Sequence, residues 1–203
     1  MNKDLSVPFA STTVSAPAQS ASRPATWLRD AGIVLAGSVF VAVCAHVVVP
    51  LNFTPVPLTL QTFAVLLLGL LLTPRLAAGA LTAYLVEGAL GLPVFAPTPV
   101  MPGLAHLLGP TGGYLLAYPA AAFLIAFVWR NTRGSFPGAL GSAVAGNFLI
   151  LGCGGLWLAV LTHASLQSVL TLGVVPFLPG EGLKIAAAAG IALGYQRYRR
   201  RAL

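Results

Sequence analysis

The 203-residue chain is 57% hydrophobic and only 7% charged, with a mean hydropathy of +0.88. Soluble domains carry about 25% charged residues, so there is too little polar surface here to coat a water-soluble globule. The net charge of +7 would suggest nucleic acid in a soluble protein; here the positions of the charges explain it, and no nucleic-acid partner is expected.

Residues 1–26 are rich in Ser, Ala, Thr and Pro without an apolar core. They read as a disordered cytoplasmic tail, not a signal peptide. Residues 27–203 read as one all-α membrane domain, helical because its apolar runs are continuous rather than alternating. Trp27–Val49 is the first predicted span, about 34 Å at helical rise. Leu58–Leu72, fenced by Pro57 and Pro74, is the second; at about 22 Å it is short for a bilayer. Arg75–Leu92 is the third, Gly113–Trp129 the fourth, Pro137–Leu161 the fifth, and Glu181–Tyr195 or slightly beyond the sixth. Ser165–Gly173 is too short to cross and reads as a surface or partly inserted helix.

The eleven Lys and Arg residues test this layout. Lys3, Arg23 and Arg29 precede or open span one. Arg75 lies between spans two and three, Arg130 and Arg133 between four and five, and Arg197, Arg199, Arg200 and Arg201 after span six. The connections 50–57, 93–112 and 163–180 contain none. Six spans with both termini cytoplasmic place ten of the eleven inside; Lys184 is left over. The neutral outer connections are dense in proline and glycine and suit lids over a cavity, although hairpin turns use the same residues.

The stretch "PFLPGEGLKIAAAAG" sets Lys184 three residues after Glu181, at the start of span six. A carboxylate suits the positive end of a helix dipole, and an amine does not. An amine at the bilayer centre costs roughly 2.5–3.5 kcal/mol and less at the edge, so an anion is expected beside it. Glu181 can supply it, since i and i+3 share a helix face. Two readings follow: a self-contained pair snorkelling to the interface, or a ligand site presenting an acceptor and a donor inward. Ala186–Ala189 would then let neighbouring helices approach.

Other polar groups stand in apolar surroundings. Glu87 in span three is expected to be protonated, paired with Lys184, or lining the same cavity, with Tyr84 on its face. Gln61 and Asn147 suit either interhelical hydrogen bonds or ligand contacts. His46, His106 and His163 read as solvated or interfacial and support no metal site. Cys44 and Cys153 read as buried free thiols. There is no phosphate loop, no HExxH and no nucleophile–base motif, so no enzyme, no bound cofactor and no ATP hydrolysis in this chain are expected.

The stretches "PVPLTLQTFAVLLLGLLLTPRLAAGALTAYLVEGALGLPVF", "LLGPTGGYLLAYPAAAFLIAF", "GNFLILGCGGLWLAVL" and "GVVPFLPGEGLKIAAAA" resemble BioY, the biotin-specific substrate-binding (S) component of energy-coupling-factor (ECF) transporters. The resemblance covers about residues 30–195. It implies an S-component fold of six helices that binds biotin near the outer face. Its implied partners are a transmembrane coupling protein and two cytoplasmic ATPase subunits, which alone use ATP. It also implies that Glu181 and Lys184 face biotin, and that Gly112, Gly113 and Tyr114 form part of the pocket wall. The family usually has aspartate where this chain has Glu181, and an apolar residue where it has Glu87. A component that docks sideways within lipid needs a smooth face of small residues. Span one offers Gly32 with Ala36, and Ser38 with Ala42; packing against the protein's own helices is the competing use. Two other functions fit the residues: an ion-coupled transporter acting alone through Glu87, Glu181 and Lys184, or the same scaffold tuned to another vitamin.

Overall fold

The computed structural model describes residues 23–202, apart from 50, 52–53, 55, 98–102 and 133. Residues 1–22 of the predicted tail lie outside the described residues; the last four of that tail already belong to the first helix. Helix α1 spans Arg23–Ala45, four residues short of the predicted Val49. The β-branched run Val47-Val48-Val49 before Pro50 disfavours further helix. The last turn tightens, with the His46 and Val47 amides donating to the carbonyls of Val43 and Cys44. Val48–Val49 (β1) then pairs antiparallel with Leu58–Thr59 (β2), Val48 opposite Thr59. The first two predicted spans thus both lose their outer ends to a small hairpin.

Helix α2 follows at Gln61–Leu71 and α3 at Pro74–Ala89. Thr73 caps α3 by accepting from the Leu76 amide, and Pro74 sits where its missing N–H costs nothing. A short helix absent from the sequence reading, α4, occupies Leu104–Leu107. Helix α5 covers Gly112–Arg130, and α6 Phe136–Thr162, capped by Ser135 and ended by His163 in the left-handed region. Helix α7 (Leu166–Gly173) and a 3₁₀ turn (Val175–Phe177) lead directly into α8, Leu178–Arg201. Pro179 and Gly180 lie in the first turn of α8, which begins three residues before the predicted Glu181.

Among the described residues, four helical stretches are long and apolar enough to cross a membrane: Thr26–Ala45, Gly112–Arg130, Phe136–Thr162 and Gln167–Arg201. The chain is an all-helical, multi-pass membrane protein. Its wide apolar exposure, for example Leu35, Val39 and Val43 on α1 and Phe148, Leu156 and Val160 on α6, belongs to faces that meet lipid. Cys44 is buried as expected, whereas Cys153 is exposed on α6.

The core is organised around α2. Residues Ala64–Leu70 are all buried, and α1, α3, α5, α6 and α8 all pack against the helix. Eleven residues span only about 16 Å, roughly half the hydrocarbon thickness. Its neighbours α5 and α8 continue past both of its ends, so the bundle has room above and below its central helix.

Helix α1 sorts its small residues onto two faces. Gly32 and Ala36 are exposed, with open space at the Gly32 Cα. Ser38 is fully buried, and Ala42 packs on the core. Ser38 lies two residues beyond Ala36, about 200° round the helix. The two pairs therefore cannot share a docking face, and the Ser38–Ala42 half of that expectation is corrected.

Two glycines only two residues apart on α6, and so on opposite faces of the helix, test the packing. A Cβ at Gly154 would stand 2.1 Å from the Tyr114 ring, while one at Gly152 would meet nothing within 4 Å. Gly154→Ala should lower stability by about 1–3 kcal/mol through overpacking. Gly152→Ala should be neutral or stabilising by about 0.5–1 kcal/mol. Thermal unfolding of the detergent-purified variants reads the difference; equal shifts would contradict this packing.

Candidate binding site

Above the N-terminal end of α2 lies a cavity enclosing about 540 Å³ free of protein atoms, including its open mouth. Its wall comes from the hairpin (Val56–Thr59), the start of α2, His106 of α4 within the second long connection, the first turns of α5, Ile150 and Leu151 of α6, Phe177, and the start of α8. The lining is apolar with a few convergent polar groups, the usual form of a small-molecule site.

Glu181 and Lys184 both line the cavity and are both buried. Lys184 Nζ donates to Glu181 Oε1 at 2.7 Å and to Thr62 Oγ1 at 2.8 Å, and Thr62 Oγ1 donates to the same Oε1 at 2.9 Å. The triangle ties the start of α8 to the start of α2. It leaves Glu181 Oε2 buried without a hydrogen-bond partner among the described residues. An ammonium has three N–H donors, and two are used. The pair thus keeps one acceptor and one donor in hand at the cavity wall, which a snorkelling pair would have given to water.

Gln61 also lines the cavity. Its Nε2 donates to Tyr84 Oη at 2.5 Å, and its Oε1 accepts from Thr59 Oγ1 at 3.2 Å and Tyr118 Oη at 3.4 Å. Gln61 is therefore held from three sides. Tyr84 is fully buried behind it, a supporting residue outside the cavity lining. Tyr114 lines the cavity and fixes its far wall by donating to the Gly173 carbonyl at 2.7 Å. Gly112 and Gly113 lie behind the lining. A Cβ on Gly112 would stand 1.8 Å from the Leu107 carbonyl oxygen, and one on Gly113 2.2 Å from Trp157 Cβ. Their role is to let α5 start hard against its neighbours and set Tyr114 in place.

Glu87 and Asn147 are outside the cavity lining. Glu87 accepts from Ser38 Oγ across the α1–α3 contact. It faces α1, while Lys184 approaches the cavity from α8, so of the three readings of Glu87 neither the pair with Lys184 nor a place in the cavity lining is found. Asn147 is buried on α6, with Oδ1 unpartnered among the described residues.

Thr62, Tyr118 and His106 were not anticipated. Thr62 and Gln61 form a polar pair opening an otherwise apolar helix, which was the available signal. His106, expected at the surface, is buried. It stacks on Phe95 at 4.9 Å, and Phe95 meets Tyr84 edge-on at 5.4 Å. Burial lowers the His106 pKa, so the ring faces the cavity neutral. The proline-rich second connection thereby reaches the cavity through an aromatic chain. Among the described residues no cluster of His, Cys, Asp or Glu could hold a metal.

A helical, multi-pass membrane protein with a partly enclosed, mostly apolar cavity at the end away from its arginines has the form of a membrane solute-binding protein. Its sequence matches the BioY family over residues 12–201, and the chain belongs to that family. It is 38% identical over 144 residues to a probable biotin transporter BioY of Pyrococcus horikoshii, covering 71% of this chain and 83% of that protein. It is 37% identical over 166 residues to the biotin transporter BioY of Thermotoga maritima, covering 82% and 93%. Among solved structures it resembles the S-component for biotin from an ECF-type ABC transporter. The TM-score is 0.77 at 25% identity, over 87% of this chain and 95% of that one.

Lys184→Ala removes one member of a buried pair and should cost about 3–5 kcal/mol of stability. The double variant Glu181→Leu with Lys184→Met removes both charges and should unfold within about 1–2 kcal/mol of wild type. Thermal unfolding of the three proteins decides: a double variant as unstable as Lys184→Ala would mean that the pair is not a self-compensating unit.

Proposed function

We propose that this chain is the biotin-binding S component of an ECF-type uptake transporter. It acts in the cell membrane as a six-helix bundle (α1, α2, α3, α5, α6 and α8) with both termini cytoplasmic. It takes biotin at its outer end and passes it inward with a membrane coupling protein and two cytoplasmic ATPase subunits. It has no catalytic role and needs no cofactor of its own. Family membership and the biotin transporters it resembles support this reading. So does the charge layout: Arg75, Arg130 and Arg197–Arg201 gather at the helix ends away from the cavity, as cytoplasmic ends do.

The observation that carries the reading is the unpartnered Glu181 Oε2 beside the spare N–H of Lys184. Biotin carries a ureido ring with two N–H donors and one carbonyl. A carboxylate oxygen accepts from such an N–H, and an ammonium donates to such a carbonyl, each charge-assisted. The Glu181–Lys184 pair is neutral as a unit and His106 is neutral, so nothing deep in the cavity balances the valerate carboxylate. That end sits better at the open mouth, in water. The thioether ring and chain fill the apolar wall of Ile150, Leu151 and Phe177.

Lys184→Ala and Glu181→Gln should each weaken biotin binding at least tenfold, about 1.4 kcal/mol or more, in titration calorimetry on folded protein. Biotinamide should bind within about threefold of biotin, while a ureido N-methylated biotin should lose at least tenfold. The reverse order would turn the ligand round, and no binding of biotin at all would end the proposal. Uptake in cells should require the ATPase subunits and survive a protonophore; the opposite pair of results would mark an ion-coupled carrier acting alone.

A further inference from the structure

The opposite end of the bundle holds a second cleft. Helix α2 stops at Leu71, while α5 runs on to Arg130 and α8 to Arg201. The space left under α2 measures about 860 Å³ including its open side. Its apolar part is Leu70–Leu72, and Arg130, Arg199, Arg200 and Gln196 line it together with Trp129 and Tyr195.

We propose that this cleft binds the headgroup region of an anionic phospholipid. Arg130, Arg199 and Arg200 take the phosphate, and the glycerol and first acyl carbons lie against Leu70–Leu72. Charge is the first support. The lining holds three guanidinium groups and no carboxylate. The four acidic residues of the chain are Asp4, Asp30, Glu87 and Glu181, and among the described residues the one salt bridge is Lys184–Glu181. No carboxylate among the described residues pairs with the cleft, so its three guanidinium groups are available to an added anion. Chemistry is the second support. Guanidinium groups meet phosphate oxygens through paired N–H donors, and basic pockets between membrane helices on the cytoplasmic side suit anionic headgroups. Depth is the third. Trp and Tyr favour the membrane–water interface, where a phospholipid offers a charged and an apolar part together. A free phosphate would leave the leucines facing water.

Arginines at helix C-termini also complement the helix dipole and set orientation. Neither role needs a cleft or an apolar floor. Helix α8 contains its own comparison, since Arg197 and Arg201 share its last turns but do not line the cleft.

The test is native mass spectrometry of the delipidated full-length protein offered phosphatidylglycerol or phosphatidylcholine. Wild type should retain phosphatidylglycerol at least fivefold over phosphatidylcholine. R199Q/R200Q should lose that preference, and the charge-matched R197Q/R201Q should keep it. Equal loss in both doubles would mean a diffuse surface field, and no preference in wild type would mean no site; either overturns the proposal. Displacement of the lipid by equimolar glycerol 3-phosphate would assign the cleft to a soluble phosphate and also overturn it. If R199Q/R200Q does not fold, R130Q replaces it. Thermal stabilisation of wild type by phosphatidylglycerol over phosphatidylcholine then gives a second readout, and its absence counts against the site.

Discussion

An ion pair buried where no water reaches most of it governs this structure. Taking Glu181 and Lys184 out of water costs several kcal/mol per ion even after relaxation. Their mutual attraction offsets that only if the remaining lone pairs and protons are also used. Thr62 serves that end, accepting from the lysine and donating to the carboxylate. The contact holds α8 against α2 at one height, because a hydroxyl on the next turn could not reach both partners. The positive end of the α8 dipole favours the carboxylate in the first turn, and the lysine follows one turn later under its protection. What remains unsatisfied, one carboxylate oxygen, faces the problem that a ligand N–H solves.

The second constraint is the length of α2. A central helix of half the membrane thickness can be tolerated only when every face is covered by longer helices, and α2 is covered in that way. Its brevity opens the bundle at both ends with opposite chemistry. At the start of the helix, Gln61 and Thr62 sit under a neutral cavity roofed by proline-rich loops. At its end, Leu70–Leu72 sit over a cleft rimmed by arginines. Binding at one end and anchoring at the other are thus two consequences of one short, wholly buried helix.

The loops that close the cavity are tied down by side chains as well as by the short β1–β2 hairpin and α4. Thr54 Oγ1 donates to the Leu172 carbonyl at 2.7 Å and joins the connection between α1 and α2 to α7. Trp157 Nε1 donates to the Gly109 carbonyl at 2.9 Å and holds the second against α6. Such single bonds between surface segments open at far lower free energy than the helix core. The cavity mouth is accordingly the part of the molecule best suited to move when a ligand enters.

Much of this was legible in the linear order of residues. Hydropathy alone required a helical membrane protein, because backbone polar groups in lipid must be satisfied within the segment. The spacing of Glu181 and Lys184 put them on one helix face, and the alternation of basic and neutral connections separated the two ends of the bundle. Motif resemblance named the family that the match over residues 12–201 then showed. What the order of residues could not decide was direction around each helix. Glu87 and Glu181 are both acids near the ends of apolar helices, and although Lys184 follows Glu181 at helical spacing, the sequence leaves open whether Glu87 shares that site. Only packing turns Glu87 toward Ser38 on α1 and Glu181 toward Thr62 on α2. The same holds for Ser38 and Ala42, which by spacing suited either a partner's helix or the protein's own helices and are found on the inner side. It holds too for His106, whose burial depends on Phe95, eleven positions earlier in the chain. Periodicity tells which residues share a face; which neighbour that face meets is settled only when all the helices compete for the same apolar contacts, and that competition exists only in the folded bundle.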